Sequence, residues 1–178
     1  MILLTRKADF SAAHFYWNDQ WSEEENNRVF GKCSNRQGHG HNYTLEVTVE
    51  GQIDPVTGFV VDLKELKDIM ESEVVAVYDH RHLNHEVPEF KTTVPTTENI
   101  AIAIWRRMDG KIPNATLHRV RVYEMPDLFA DFYGEGLKQQ TIDPHLITEI
   151  EARAQRTLRR IHRGAVPEPT PDPNEDAA

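Results

Sequence analysis

From His41 to Glu50 the chain alternates without a break. His41, Tyr43, Leu45, Val47 and Val49 fall on one side, and Asn42, Thr44, Glu46, Thr48 and Glu50 on the other. A strand sends successive side chains to opposite faces, so this run is a half-buried strand and commits the fold to a sheet with one apolar face. His39 is one period earlier, so His39 and His41 point the same way if the strand reaches back through Gly40. Leu3 to His14 reads as a second strand, with Phe10, Ala12 and His14 sharing a face. Pairing the two would gather three imidazoles at one end of the sheet.

The remaining sequence supplies helices and further strands. The polar stretch from Phe15 to Gly38 is longer than the roughly 12–15 residues beyond which connections tend to be functional. Asp54-Pro55-Val56-Thr57-Gly58 is a turn, and Phe59-Val60-Val61 is expected to be a short strand. Asp62, with Glu65 three residues on, starts a helix by a capping-box pattern, and its apolar stripe is Leu63, Leu66, Ile69, Met70, Val74 and Val77. Thr96 or Thr97 caps a second helix carrying Ile100, Ile104 and Met108. His118–Met125 and Leu128–Tyr133 are expected strands around Pro126-Asp127. Asp143-Pro144 opens a third helix with Leu146, Ile150, Leu158 and Ile161 on one face, and alternating prolines and acids follow Gly164. The expected organisation is a catalytic α+β domain over 1–141, an amphipathic helix over 142–163 and a disordered tail over 164–178.

A net charge of −9 argues against nucleic acid or an anionic membrane as partner. No apolar run approaches spanning length, and Met1–Thr5 lacks the charged start of a signal peptide. Cys33, the only cysteine, excludes an internal disulfide, so a cytoplasmic protein is expected.

Three neutral imidazoles are enough to hold zinc and leave its fourth position open, so His14, His39 and His41 are the candidate ligands. A closed structural site with Cys33 as fourth ligand is the rival arrangement. Cys33 is otherwise a candidate base or nucleophile, and Lys32 and Arg36 beside it are expected to lower its pKa. Asp79 next to His80 is either a carboxylate orienting an imidazole or a solvated turn. Glu124 shares a face with Val120 and Val122. It either ends the strand at a wet rim or is a buried carboxylate needing a donor pair, such as the adjacent N–H groups of a guanine-like or pterin ring.

Taken together, Phe10-Ser11-Ala12-Ala13-His14, Phe30-Gly31-Lys32-Cys33, Gly38-His39-Gly40-His41-Asn42-Tyr43, Asp54-Pro55-x-Thr57-Gly58, Asp79-His80-Arg81-x-Leu83-Asn84, Pro95-Thr96-Thr97-Glu98-Asn99 and Val122-Tyr123-Glu124 resemble the 6-pyruvoyl-tetrahydropterin synthases over roughly residues 5 to 136. The resemblance implies a T-fold: a four-stranded antiparallel sheet with two helices on one face, to which the C-terminal helix is extra. It implies zinc on His14, His39 and His41, catalysis by Cys33 with Asp79 and His80, and a pterin held by Glu124 near Thr96 and Thr97. It also implies a homo-oligomer, trimer or hexamer, with sites between subunits, acting on 7,8-dihydroneopterin triphosphate. Relatives that make 6-carboxy-tetrahydropterin for the queuosine pathway use the same substrate. Many have three residues between cysteine and first histidine; here Ser34 to Gly38 intervene, as in the pyruvoyl-forming enzymes. Lys32, Arg36 and Arg81 are available to the triphosphate.

Overall fold

The computed structural model describes residues 2–134, so the expected helix over 142–163 and tail over 164–178 lie outside it. Strands β1 (Ile2–His14) and β2 (His39–Gly51) pair antiparallel along their full length, from Ile2 opposite Gly51 to His14 opposite His39. On the far side β2 pairs with β4 (Thr116–Met125), which pairs with β5 (Leu128–Phe132), both antiparallel. These are four of the five expected strands. An unexpected strand, β3 (Arg81–His82), runs parallel to β1 beside Ala12 and Ala13, giving the order β3-β1-β2-β4-β5. Two residues within a polar segment carry no periodicity, which is why the pattern does not announce β3.

The alternation of β2 is honoured: Tyr43, Leu45, Val47 and Val49 are fully buried, and so are Val120 and Val122 of β4. Each such side chain contributes about 1.5–3 kcal/mol relative to exposure. They pack with Leu66, Met70, Val74 and Tyr78 from one helical segment and Ile100, Ile104 and Met108 from another. The opposite sheet face is polar and stitched by ions: Glu46 takes Lys7 at 2.7 Å and Arg119 at 3.1 Å, and Arg121 holds Asp131 through two nitrogens at 2.7 and 2.6 Å.

Asp62 caps α2 (Leu63–Met70), accepting from the N–H groups of Lys64 and Glu65. The helix continues through a π-turn, Glu71–Val75, into α3 (Ala76–Tyr78). Leu66, Met70, Val74 and Tyr78 recur every fourth residue. A regular helix would rotate such a row by about 40° per step, and the wider turn brings Val74 and Tyr78 back onto the core. Phe59-Val60-Val61 does not form the expected strand; Val60 and Val61 are buried where the chain bends into the Asp62 cap. The stretch from Phe15 to Gly38 contains α1 (Glu23–Phe30), capped by Ser22, and a 3-10 turn, Gly31–Ser34. The Asp79–Phe90 segment contains α4 (Leu83–Glu86) and the start of a second 3-10 turn, Pro88–Lys91. Thr96, not Thr97, caps α5 (Thr97–Met108), its hydroxyl accepting from the Asn99 N–H. Among the described residues no helix is long and apolar enough to cross a membrane.

Candidate active site

The β1–β2 register sets His14 directly across from His39, with His41 across from Ala12. The three imidazoles meet at this end of the sheet, with one ring nitrogen from each inside a 4.8 Å cluster. His14 is completely buried, and burial lowers its pKa to about 4. Its Nδ1 lies 2.9 Å from the Pro95 carbonyl oxygen. A carbonyl only accepts, so Nδ1 carries the hydrogen and Nε2 keeps its lone pair. That Nε2 faces the Nε2 of His39 at 3.2 Å. His41 Nε2 is buried with no hydrogen-bond partner. Burial depresses the His41 pKa, against the pull of Glu124. An unpartnered His41 nitrogen beside ring nitrogens of His14 and His39 is a set of donor atoms suited to a divalent ion such as zinc, with His14 oriented by a backbone carbonyl as ligating histidines are. The residues present therefore fit the metal that the sequence implies.

Glu124 is only 7% exposed, which resolves the choice between rim and core. The β4–β5 register shifts between Tyr123 and Met125, leaving Glu124 as an extra residue, a bulge of the kind that re-aims a side chain. Its Oε2 accepts from the Thr97 hydroxyl at 2.5 Å and the Tyr16 hydroxyl at 3.3 Å, while Oε1 lies 3.5 Å from His41 Nε2. A carboxylate offers about four lone-pair sites, so Oε1 remains available to a ligand.

Cys33 is partly buried, and its backbone carbonyl accepts from the Tyr16 N–H at 2.7 Å. Its thiol pKa is raised, first by burial and then by the Glu124 charge. This corrects the expectation that Lys32 and Arg36 lower it. Arg36 instead stacks on Trp17, 4.7 Å from the ring centre, and faces Asp19 at 3.8 Å. Asp79 and His80 lie between α3 and β3, held against β1 through Ser11. Asp79 accepts from the Ser11 N–H at 2.7 Å and from His80 Nδ1 at 2.7 Å, and these bonds, the backbone one first, hold its carboxyl below the usual range. Ser11 is on the strand face opposite His14, and among the described residues no hydrogen bond links Asp79 or His80 to Cys33. The chain thus brings together His14, His39, His41, Glu124 and Thr97, while the hydrogen bonds of the Asp79–His80 pair run to Ser11 and to each other.

The sequence model described as 6-pyruvoyl tetrahydropterin synthase matches residues 3–135. The chain belongs to that family. It is 43% identical over 132 residues to the human 6-pyruvoyl tetrahydrobiopterin synthase, covering 74% of this chain and 91% of the human one. The Caenorhabditis elegans 6-pyruvoyl tetrahydropterin synthase structure superposes with a TM-score of 0.71 at 40% identity, covering 75% of this chain and 95% of that one. A putative 6-carboxy-5,6,7,8-tetrahydropterin synthase of Archaeoglobus fulgidus is 39% identical over 93 residues, 52% of this chain and 73% of its own length.

Motif reading assigns no role to two residues of this cluster. Tyr43, fully buried, brings its hydroxyl 3.1 Å from His14 Nδ1. Tyr16 donates to Glu124, and burial, then the Glu124 charge, pushes its pKa upward, so it stays a donor. The available signal was spacing: Tyr43 is two residues past His41 and Tyr16 two past His14.

Proposed function

We propose that this protein is a zinc-dependent pterin synthase that converts 7,8-dihydroneopterin triphosphate to 6-pyruvoyl-tetrahydropterin with elimination of triphosphate. The observation that carries the reading is Glu124: a buried carboxylate, steadied by Thr97 and Tyr16, with Oε1 facing an unpartnered imidazole. A pterin ring presents adjacent N–H donors, which a carboxylate accepts in parallel. His14, His39 and His41 would hold the zinc, which when bound supplies Lewis acidity toward the substrate's side-chain hydroxyls.

Cys33 is the proton acceptor for the side chain in this reading. Burial and Glu124 favour the neutral thiol in the single chain, so the proton needs an outlet. Asp79 holds His80 through Nδ1, an arrangement suited to relaying protons. The pair and the thiol would meet across a homo-oligomer interface, trimer or hexamer, with Thr96 and Thr97 lining the pterin end. Loss of triphosphate and internal rearrangement reduce the ring while oxidising the side chain, so no external nicotinamide is needed.

Incubation with 7,8-dihydroneopterin triphosphate, with products separated by mass, tests this. The expected products are 6-pyruvoyl-tetrahydropterin and triphosphate. Formation of 6-carboxy-tetrahydropterin with acetaldehyde, or no turnover, overturns it. The five residues between Cys33 and His39 favour the pyruvoyl product.

A further inference from the structure

A cavity of about 580 Å³ lies beside the metal-ligand cluster, with Phe15, Trp17, Arg36, His85, Lys91 and Val94 in its wall. It shares two stretches of backbone with the site above. Phe15 lines the cavity while its neighbours His14 and Tyr16 belong to the histidine and Glu124 cluster. Val94 lines it while Pro95 holds His14 and Thr97 holds Glu124. Its volume is that of a small-molecule site rather than of a packing defect.

Its cations are arranged for an anion. The Arg36 guanidinium lies over Trp17 at 4.7 Å and near Phe15 at 5.8 Å, so stacking fixes the plane of its N–H fork. Its one ion-pair partner among the described residues, Asp19, also lines the cavity and stands 3.8 Å away, a long pair with no hydrogen bond, which leaves the N–H groups open to a second acceptor. Lys91 lines the same wall and has no carboxylate within ion-pair distance among the described residues. Gln20, Thr92 and Thr93 add neutral polar groups. By contrast Arg81, the other arginine the sequence offered, is engaged by Glu86 at 3.0 Å. A planar, stacked guanidinium recognises phosphate oxygens bidentately, and an ammonium lining the same cavity adds a point charge.

We propose that this cavity is a polyphosphate-binding site in which Arg36 and Lys91 are the charged contacts. Two sources supply that chemistry: the triphosphate of the substrate in the neighbouring site, which rests on the function proposed above, or a separate polyphosphate ligand, which does not.

Inorganic tripolyphosphate, titrated calorimetrically into the full chain with zinc content verified afterwards, is the direct test. Wild type is expected to bind it, and Arg36→Ala/Lys91→Ala to bind at least about tenfold more weakly, from loss of two charge-assisted contacts. Arg36→Lys keeps the charge but not the fork, and is expected to fall between. No binding by wild type, or equal binding by the double variant, overturns the proposal; the latter result would put the anion on the metal site. Both side chains are exposed, and matching melting curves would show that the variants fold. Turnover then separates the sources. Competitive inhibition by tripolyphosphate, with a raised KM and little-changed kcat in the double variant, identifies the substrate's own triphosphate. Binding lost in the double variant without change in KM identifies a separate ligand. The binding arm requires no turnover, so it stands even if the proposed reaction fails.

Discussion

Replacing Glu124 by glutamine changes one atom in the centre of the site and separates a recognition role from a structural one. The wild-type carboxylate takes two hydroxyl donors on Oε2 and keeps Oε1 for a ligand. Glutamine can keep its carbonyl oxygen on Thr97, so the fold loses little; its amide then occupies the place of Oε1. There the substrate's N–H would meet another donor. The cost is a charge-assisted bond, about 1.5–3 kcal/mol, plus an unsatisfied donor of about 1–3 kcal/mol if no water intervenes. A net loss near 3 kcal/mol corresponds to roughly a hundredfold weaker binding. Fluorescence titration with an unreactive reduced or oxidised pterin, beside a melting curve and a metal assay, measures both quantities. The reasoning fails if Glu124→Gln binds pterin as tightly as wild type, or if the melting temperature collapses while affinity in the folded fraction is retained.

Cys33→Ala is expected to lower turnover by about 10²–10⁴-fold with metal content intact, and unchanged turnover would remove the thiol from the mechanism. Mixing Cys33→Ala with His80→Ala chains under conditions of subunit exchange is expected to restore activity at about a quarter of the sites if two chains build each one; no restoration would argue for a site within one chain. In metal-free protein, burial puts the folded pKa of His14 at about 4, below its unfolded value of 6.5. The folded state therefore binds fewer protons, and stability present above pH 6.5 is lost as pH falls toward 4. The melting temperature should track that window, and His14→Asn should flatten it. Gly38→Ala would place a methyl 2.7 Å from His82 Nε2 and 3.1 Å from the His14 carbonyl oxygen at a φ of +79°. About 1–2 kcal/mol of backbone strain plus displacement at the foot of His39 should reduce stability and metal retention together.

The sequence was most informative where one residue type repeats at a structural period. Alternation from His41 to Val49 specified β2 and its inward face, and the i+4 row from Leu66 to Val74 specified the helix that covers it. The histidine cluster followed once β1 and β2 were paired, and their register is a tertiary fact that no local pattern contains. Glu124 illustrates the same limit. Its face was legible, but its burial depends on Thr97 and Tyr16 arriving from elsewhere in the chain. Cys33 was misread for a related reason: Lys32 and Arg36 are adjacent in sequence, yet Arg36 is drawn to Trp17, and the group that the thiol feels is Glu124. The helix α1 was missed although Ser22 and Glu25 have capping spacing, because its exposed residues leave no apolar stripe to recognise.

The pairing of His14 with His39 at the end of a fully matched β1–β2 ladder bears on how the chain finds its fold. These strands are joined by a long connection, so no tight turn dictates their alignment, and a shift of one residue would carry every inward side chain to the wet face. A metal ion that grips both imidazoles can form its bonds only when the strands are aligned. Metal present during refolding would then act as a proofreader, draining misaligned hairpins toward the native one. The gain would be seen as a higher yield of native protein, with the native state's melting temperature measured separately.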